Sequence, residues 1–221
     1  MKKPRKTTTP TGAGQSRPWH AAERHLARTD KRLARVIRAI GPCDLTPSRG
    51  GFEFLARSIV FQQLSLKAAG TIFRRLKDLL GGRVTAKRML ELSPAQMRTA
   101  GISRQKATYL HDLAQKVISR ELPITRLPRL SDERVRAAIT SVNGLGAWSA
   151  DMYLIFVLNR PNVLPTLDVG VRNGVELVYG TRPDAEQFAA LQQLWAPYCS
   201  IACWYLWAEK NRRMSRTRQR Q

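Results

Sequence analysis

Ser141-Val142-Asn143-Gly144-Leu145-Gly146-Ala147-Trp148 lies within a longer stretch, Thr140 to Val171. That stretch reads as a helix end, a glycine hairpin, an apolar helix and a loop delivering one carboxylate, Asp168. Glycine has no Cβ and tolerates positive φ. Gly144 and Gly146 can therefore take it and let the chain pass close to another backbone. Upstream, Ser131 suits an N-cap, Asp132 and Glu133 fall in the first turn, and Val135, Ala138 and Ile139 supply the apolar positions. Downstream, Ala147 to Leu158 is nearly continuous apolar sequence, closed by Asn159-Arg160-Pro161. Two helices joined by so short a turn point the N–H groups of the second helix start outward, where they can hold a phosphate without a side chain. A lone G-x-G also suits an ordinary helical corner, so the remaining sequence must decide.

Asp168 precedes Val169-Gly170-Val171 at a helix start, where a carboxylate caps free N–H groups and faces the positive end of the helix dipole. The cap and a chemical role are compatible, because such an anion can also face a developing cation. The reach is sufficient: a helix from Ala147 to Asn159 carries the chain about 20 Å at 1.5 Å per residue. The loop Arg160 to Leu167 spans at most about 29 Å. Asp168 can therefore return to the hairpin.

Composition narrows the partner. The 221 residues carry 38 Lys and Arg against 16 Asp and Glu, a formal net charge of +22, and 43% are hydrophobic. This is a globular chain for a polyanion. No apolar run approaches the roughly 18 residues of a membrane span, and the N-terminus lacks the apolar core of a signal peptide. An intracellular, cytoplasmic protein is expected, nucleoid-associated if the source is prokaryotic. Cys43, Cys199 and Cys203 have no zinc-like spacing; Cys199 and Cys203 share a helix face and read as core.

Along the chain, residues 1–15 are basic and poor in apolar side chains, which predicts a disordered tail. Lys210 to Gln221 is similarly basic and is expected to fray, with 213–221 as a second tail. Between them the punctuation predicts helices throughout. Helix starts fall at Pro18 and Asp30, the latter followed by Leu33, Val36, Ile37 and Ile40 and a stop at Gly41-Pro42. Further helices are predicted over Phe52–Phe61, Ser65–Leu80, Ser93–Thr99, Ser103–Arg120, Val169–Tyr179, Pro183–Trp195 and Pro197–Arg212. Strand patterns are scarce, so the fold class is all-α.

Four separated segments, in order, resemble the DNA glycosylase superfamily named for a helix-hairpin-helix, a Gly/Pro-rich loop and an aspartate. They are Ile59-Val60-Phe61-Gln62-Gln63-Leu64-Ser65 with Ala68-Ala69; Ala100-Gly101-Ile102-Ser103 with Lys106-Ala107; the hairpin through Trp148-Ser149-Ala150; and Leu164-Pro165-Thr166-Leu167-Asp168-Val169-Gly170. Trp195-Ala196-Pro197-Tyr198-Cys199-Ser200, continuing to Trp204 and Trp207, is a weaker fifth. Within the superfamily the chain looks most like the alkylation-repair branch, DNA-3-methyladenine glycosylase II.

The resemblance implies a two-lobed helical core over residues 16–212. The N- and C-terminal helices form one lobe and residues 55–165, approximately, the other, without the extra N-terminal α/β domain that relatives often carry. It implies a monomer acting on double-stranded DNA that contains alkylated bases. Asp168 is the implied catalytic residue, facing an oxocarbenium-like sugar. Bifunctional members carry a nucleophilic lysine where this chain has Trp148, so a monofunctional enzyme leaving an abasic site is expected. Trp148, Met152 and Trp207 are the implied base pocket, with π faces suited to a cationic base. Gln63 is the implied wedge filling the gap left by the extruded nucleotide, with Gln62 and Leu64 as alternatives. Val142, Asn143, Gly144, Leu145, Gly146 and Ala147 form the DNA-binding hairpin, Asn143 standing where the usual residue is proline. The carbonyls of Thr140, Val142 and Leu145 are the implied ligands of a structural Na⁺ or K⁺. No cofactor is expected for catalysis, and three cysteines cannot hold a four-cysteine iron–sulfur cluster.

Two other readings remain open from the residues. One is excision of neutral bases such as hypoxanthine, ethenoadenine or mispaired adenine, which would need an acid donor; Asp151 is the nearest candidate. The other is a helix-hairpin-helix protein that grips DNA without base chemistry.

Overall fold

The structure, a computed structural model, describes residues 18–218, so the tail expected over residues 1–15 lies outside the described residues. Among the described residues twelve α-helices follow one another: α1 His20–Thr29, α2 Lys31–Ile40, α3 Gly51–Phe61, α4 Leu66–Leu79, α5 Ala86–Glu91, α6 Pro94–Thr99, α7 Arg104–Ile118, α8 Asp132–Thr140, α9 Ala147–Phe156, α10 Val169–Tyr179, α11 Ala185–Trp195 and α12 Cys199–Arg218. No strand occurs among the described residues. The all-α class stands.

Local chemistry sets most boundaries. The side chains of Asp30, Ser65, Thr85, Ser93, Ser103, Ser131, Asp168 and Asp184 each accept a backbone N–H of the helix they precede. Ser93 with Gln96, and Asp184 with Gln187, close reciprocal capping boxes. Gly180 ends α10 in the left-handed conformation, φ 83°. Two short elements, α5 and a 3-10 turn at Leu127–Arg129, lie outside the helices the sequence predicts; both are too short to display a helical period, and α5 lacks the Ser-Pro start and following glycine that mark the equally short α6.

The C-terminal end departs from expectation in a second way. α12 runs unbroken to Arg218, through the segment expected to fray. Glu209, 2% exposed, holds it there: it takes a two-point contact from Arg212 (2.7 and 2.8 Å) and a third bond from Arg213 (2.7 Å).

The helices pack in two groups. α1, α2, α10, α11 and α12 pack on one another, and α3 through α9 do the same. In the first group, Asp30 caps α2 while accepting bonds from the Tyr179 hydroxyl and the Trp195 indole, tying α2, α10 and α11 together. Glu23 accepts from Cys43 N–H and the Tyr205 hydroxyl, fastening α1 to α12. Cys199 and Cys203 are fully buried, as core packing predicts. The two groups meet where Trp207 of α12 stacks on Phe156 of α9, centroids 5.5 Å apart.

Candidate active site

Asp168 sits at this meeting point, 9% exposed, at the N-cap of α10. Its Oδ1 accepts from Val171 N–H (2.7 Å) and the Trp207 indole N–H (2.9 Å); its Oδ2 accepts from the Trp148 indole N–H (2.7 Å). Three neutral donors on three helices therefore fix the plane of the carboxylate. None of them cancels its charge, and Oδ2 keeps an acceptor position beyond its one donor. The loop from α9 thus returns Asp168 to the hairpin, as its reach allows. Gly170 is required here for space, because a Cβ would lie 2.8 Å from the Trp207 ring and 2.9 Å from the carboxylate.

Beside Trp148 opens a pocket of about 350 Å³. From α9 it takes Trp148, Met152 and Phe156, one turn apart. From α3 it takes Phe54, Arg57, Ser58 and Phe61, and Ser48 completes the lining. Trp148 is 40% exposed, unlike a core tryptophan. Of the three residues implied for a base pocket, Trp148 and Met152 line this one. Trp207 instead braces Phe156 from behind and bonds the carboxylate. Sequence reasoning missed the α3 wall. Its i, i+4, i+7 spacing of Phe54, Ser58 and Phe61 was the available signal, but such a stripe usually means core.

The hairpin is braced from α7. Gly144 has φ 82°, and a Cβ on it would lie 2.2 Å from the Tyr109 ring. Gly146 does not use its freedom: φ is −112° and ψ −174°, extended backbone open to any residue, because the reversal is completed at Gly144. Asn143 N–H donates to Asp112 Oδ2 (2.8 Å), a bond proline could not make. Asp112 also pairs with Lys116 (3.0 Å), whose ammonium reaches the Ser141 carbonyl (2.6 Å). No side chain caps α9, and Gly146, Ala147 and Trp148 at its start are exposed. No backbone acceptor among the described residues takes their N–H groups.

The Gln62-Gln63-Leu64 turn lies against the hairpin. Gln62 donates to the Gly144 carbonyl (2.6 Å), while Lys106 holds the end of α3 through the carbonyls of Val60 (2.8 Å) and Gln62 (2.7 Å). Burial lowers the Lys106 pKa from its ordinary value. Gln63 is exposed and left-handed, φ 57°, a conformation that costs a non-glycine residue energy and turns it outward. Leu64, 41% exposed, is its neighbour. Asp151 is paired with Arg136 (2.8 Å) and joins α8 to α9 outside the pocket lining; burial raises its pKa, against the pull of Arg136.

The sequence pattern described as "HhH-GPD superfamily base excision DNA repair protein" matches residues 56–197, well over half of the chain. The chain belongs to this superfamily. Among its relatives, DNA-3-methyladenine glycosylase 1 of Schizosaccharomyces pombe is 32% identical over 194 residues, 84% of this chain and 85% of the yeast protein. A crystal structure of a DNA-3-methyladenine glycosidase from Bacillus halodurans superposes with a TM-score of 0.76 at 33% identity, covering 84% of this chain and 87% of that one. The S. pombe 3-methyladenine DNA glycosylase in complex with abasic DNA gives 0.76 at 32% identity, covering 85% and 95%. For this HhH-GPD chain, no helix of the described residues is long and apolar enough to cross a membrane.

Proposed function

We propose that the chain is a monofunctional DNA glycosylase that removes N-alkylated purines, of the 3-methyladenine and 7-methylguanine type, from duplex DNA and leaves an abasic site. The observation that carries this reading is the Asp168 carboxylate, oriented by two indoles and a helix start beside an aromatic pocket. The names of the relatives, and the abasic DNA bound by one of them, support the same substrate class.

In the reaction the bond from C1′ to the base nitrogen breaks, and its electron pair leaves with the base. An alkylated purine already carries positive charge, so departure neutralises it and no proton donor is needed. The sugar becomes oxocarbenium-like, and Asp168 lies where a fixed anion stabilises it. A water then bonds to C1′, and its proton passes to Asp168 or to solvent. The π faces of Trp148, Phe54 and Phe156 suit a flat cation. No lysine stands at position 148, so no Schiff base is expected there. Asp151, committed to Arg136, is poorly placed as the acid that neutral bases require.

The hairpin residues 142–147 present the start of α9 to a phosphate, and Gln63 is the wedge in this reading, since Gln62 is engaged at Gly144. The carbonyls of Thr140, Val142 and Leu145 suit a monovalent cation. Leu145 N–H takes one lone pair of the Val142 oxygen, and no backbone N–H of the described residues takes the other two oxygens. Na⁺ or K⁺ there would bridge the turn to a phosphate.

The deciding experiment is base release from methylated duplex DNA by the purified protein and by Asp168→Asn. Asparagine caps a helix as well as aspartate does, so the variant should fold and bind while excision falls about 100-fold or more. Comparable excision by the variant would remove Asp168 from the chemistry.

A further inference from the structure

The pocket beside Asp168 contains one permanent charge, and base excision by Asp168 gives it no task. Arg57, on the pocket face of α3, holds its guanidinium carbon 4.1 Å from the centre of the Phe61 ring. The residue is exposed, and among the described residues its guanidinium has no carboxylate partner. Stacking on Phe61 orients the planar group while leaving its N–H edge for a ligand.

A fixed cation on the wall of a pocket meant for a cationic base is a conflict. Like charges repel, and the repulsion grows as the base and protein displace water. The serine neighbours do not relieve it: Ser58 and Ser48 are neutral, and the Ser58 hydroxyl is spent on the Phe54 carbonyl (3.0 Å). Asp168 is saturated on Oδ1 and required at the sugar. The anion that removes the conflict must come with the substrate. A nucleotide extruded into this pocket brings its two flanking phosphates to the open mouth, and a guanidinium fork matches phosphate oxygens in geometry and charge.

We propose that Arg57 clamps a phosphate flanking the extruded nucleotide, so that the DNA backbone neutralises the pocket's own charge as the cationic base enters. The clamp rests on the glycosylase reading for the nature of the base, but its test does not depend on base release. Arg57 then differs from the hairpin N–H groups: it grips the nucleotide being extruded, and only when that nucleotide is out of the stack.

The test uses the full chain and a duplex with a single tetrahydrofuran abasic nucleotide, prepared with natural phosphates or with a neutral methylphosphonate on its 5′ or its 3′ side. Wild type, Arg57→Ala and Arg57→Lys are titrated across a range of salt. Arg57→Ala should weaken binding to the natural duplex about tenfold and reduce the slope of log affinity against log salt by about 0.9. One of the two methylphosphonates should weaken wild type by the same factor and leave Arg57→Ala with no further loss. Arg57→Lys should keep the slope, because its charge is retained. An Arg57→Ala loss that persists undiminished on both methylphosphonate duplexes would show that Arg57 acts on the pocket or base and overturn the clamp; so would no loss at all. If wild type releases no methylated purine, the glycosylase reading falls, and the abasic titration still decides the clamp.

Discussion

Asp168 carries two duties on one side chain. Its Oδ1 both caps α10 and accepts the Trp207 indole, and its Oδ2 accepts the Trp148 indole. Asp168→Asn keeps the cap through its amide oxygen but turns an NH2 toward an indole N–H that the carboxylate accepts, so it should lose about 1–3 kcal/mol in a denaturant titration, still fold, and lose excision far beyond that. Asp168→Ala should lose both, with about 1–2 kcal/mol of additional destabilisation in the same titration. Trp148 bears on the product. With an indole rather than an amine at this position, reaction with methylated duplex should yield intact strands that break only on alkaline or heat treatment. Borohydride should trap no protein–DNA adduct; a trapped adduct would return the search to nearby amines.

The hairpin and α12 each depend on one residue that the rest of the element cannot replace. At Gly144, left-handed backbone and the Tyr109 ring both exclude a side chain. Gly144→Ala should cost roughly 2–4 kcal/mol and weaken duplex binding. Gly146→Ala, at an extended and open position, should be nearly silent in thermal melts of the two variants. In α12, hydrogen bonds from Arg212 and then Arg213 hold the Glu209 carboxyl below the ordinary glutamate value of 4.5. A carboxylate depressed on folding stabilises the protein above its unfolded value, and that contribution fades as pH falls from about 4.5 through the folded value. Glu209→Gln should therefore flatten the acid limb of stability against pH; an unchanged limb would place the acid sensitivity elsewhere.

The charge of the whole molecule acts through salt. Deleting residues 1–15 removes Lys2, Lys3, Arg5 and Lys6. For every phosphate that the tail no longer neutralises, the salt slope should fall by about 0.9 while the single-turnover rate at saturation stays similar. A collapsed rate in a folded truncation would assign the tail to the active site. The C-terminal cut is a different experiment. Removing residues from 213 takes Arg213 from buried Glu209, so it should destabilise the fold as well as weaken DNA binding, which a melting curve would show.

Helix starts and stops were legible because they are local. Asp30, Ser65, Ser93 and Ser103 cap within three residues of themselves, and the apolar period of α2 needs no partner to be recognised. Asp168 was legible for the same reason, as a cap whose charge is left over. Legibility ended where one helix meets another. Only tertiary packing brings Trp148 and Trp207, 20 and 39 residues away in sequence, onto one carboxylate. The same holds for the α3 wall with Arg57, and for Asp112, 31 residues before the Asn143 N–H it binds. A capping bond is specified by residues within one turn, whereas a pocket is specified by which faces of distant helices exclude water together.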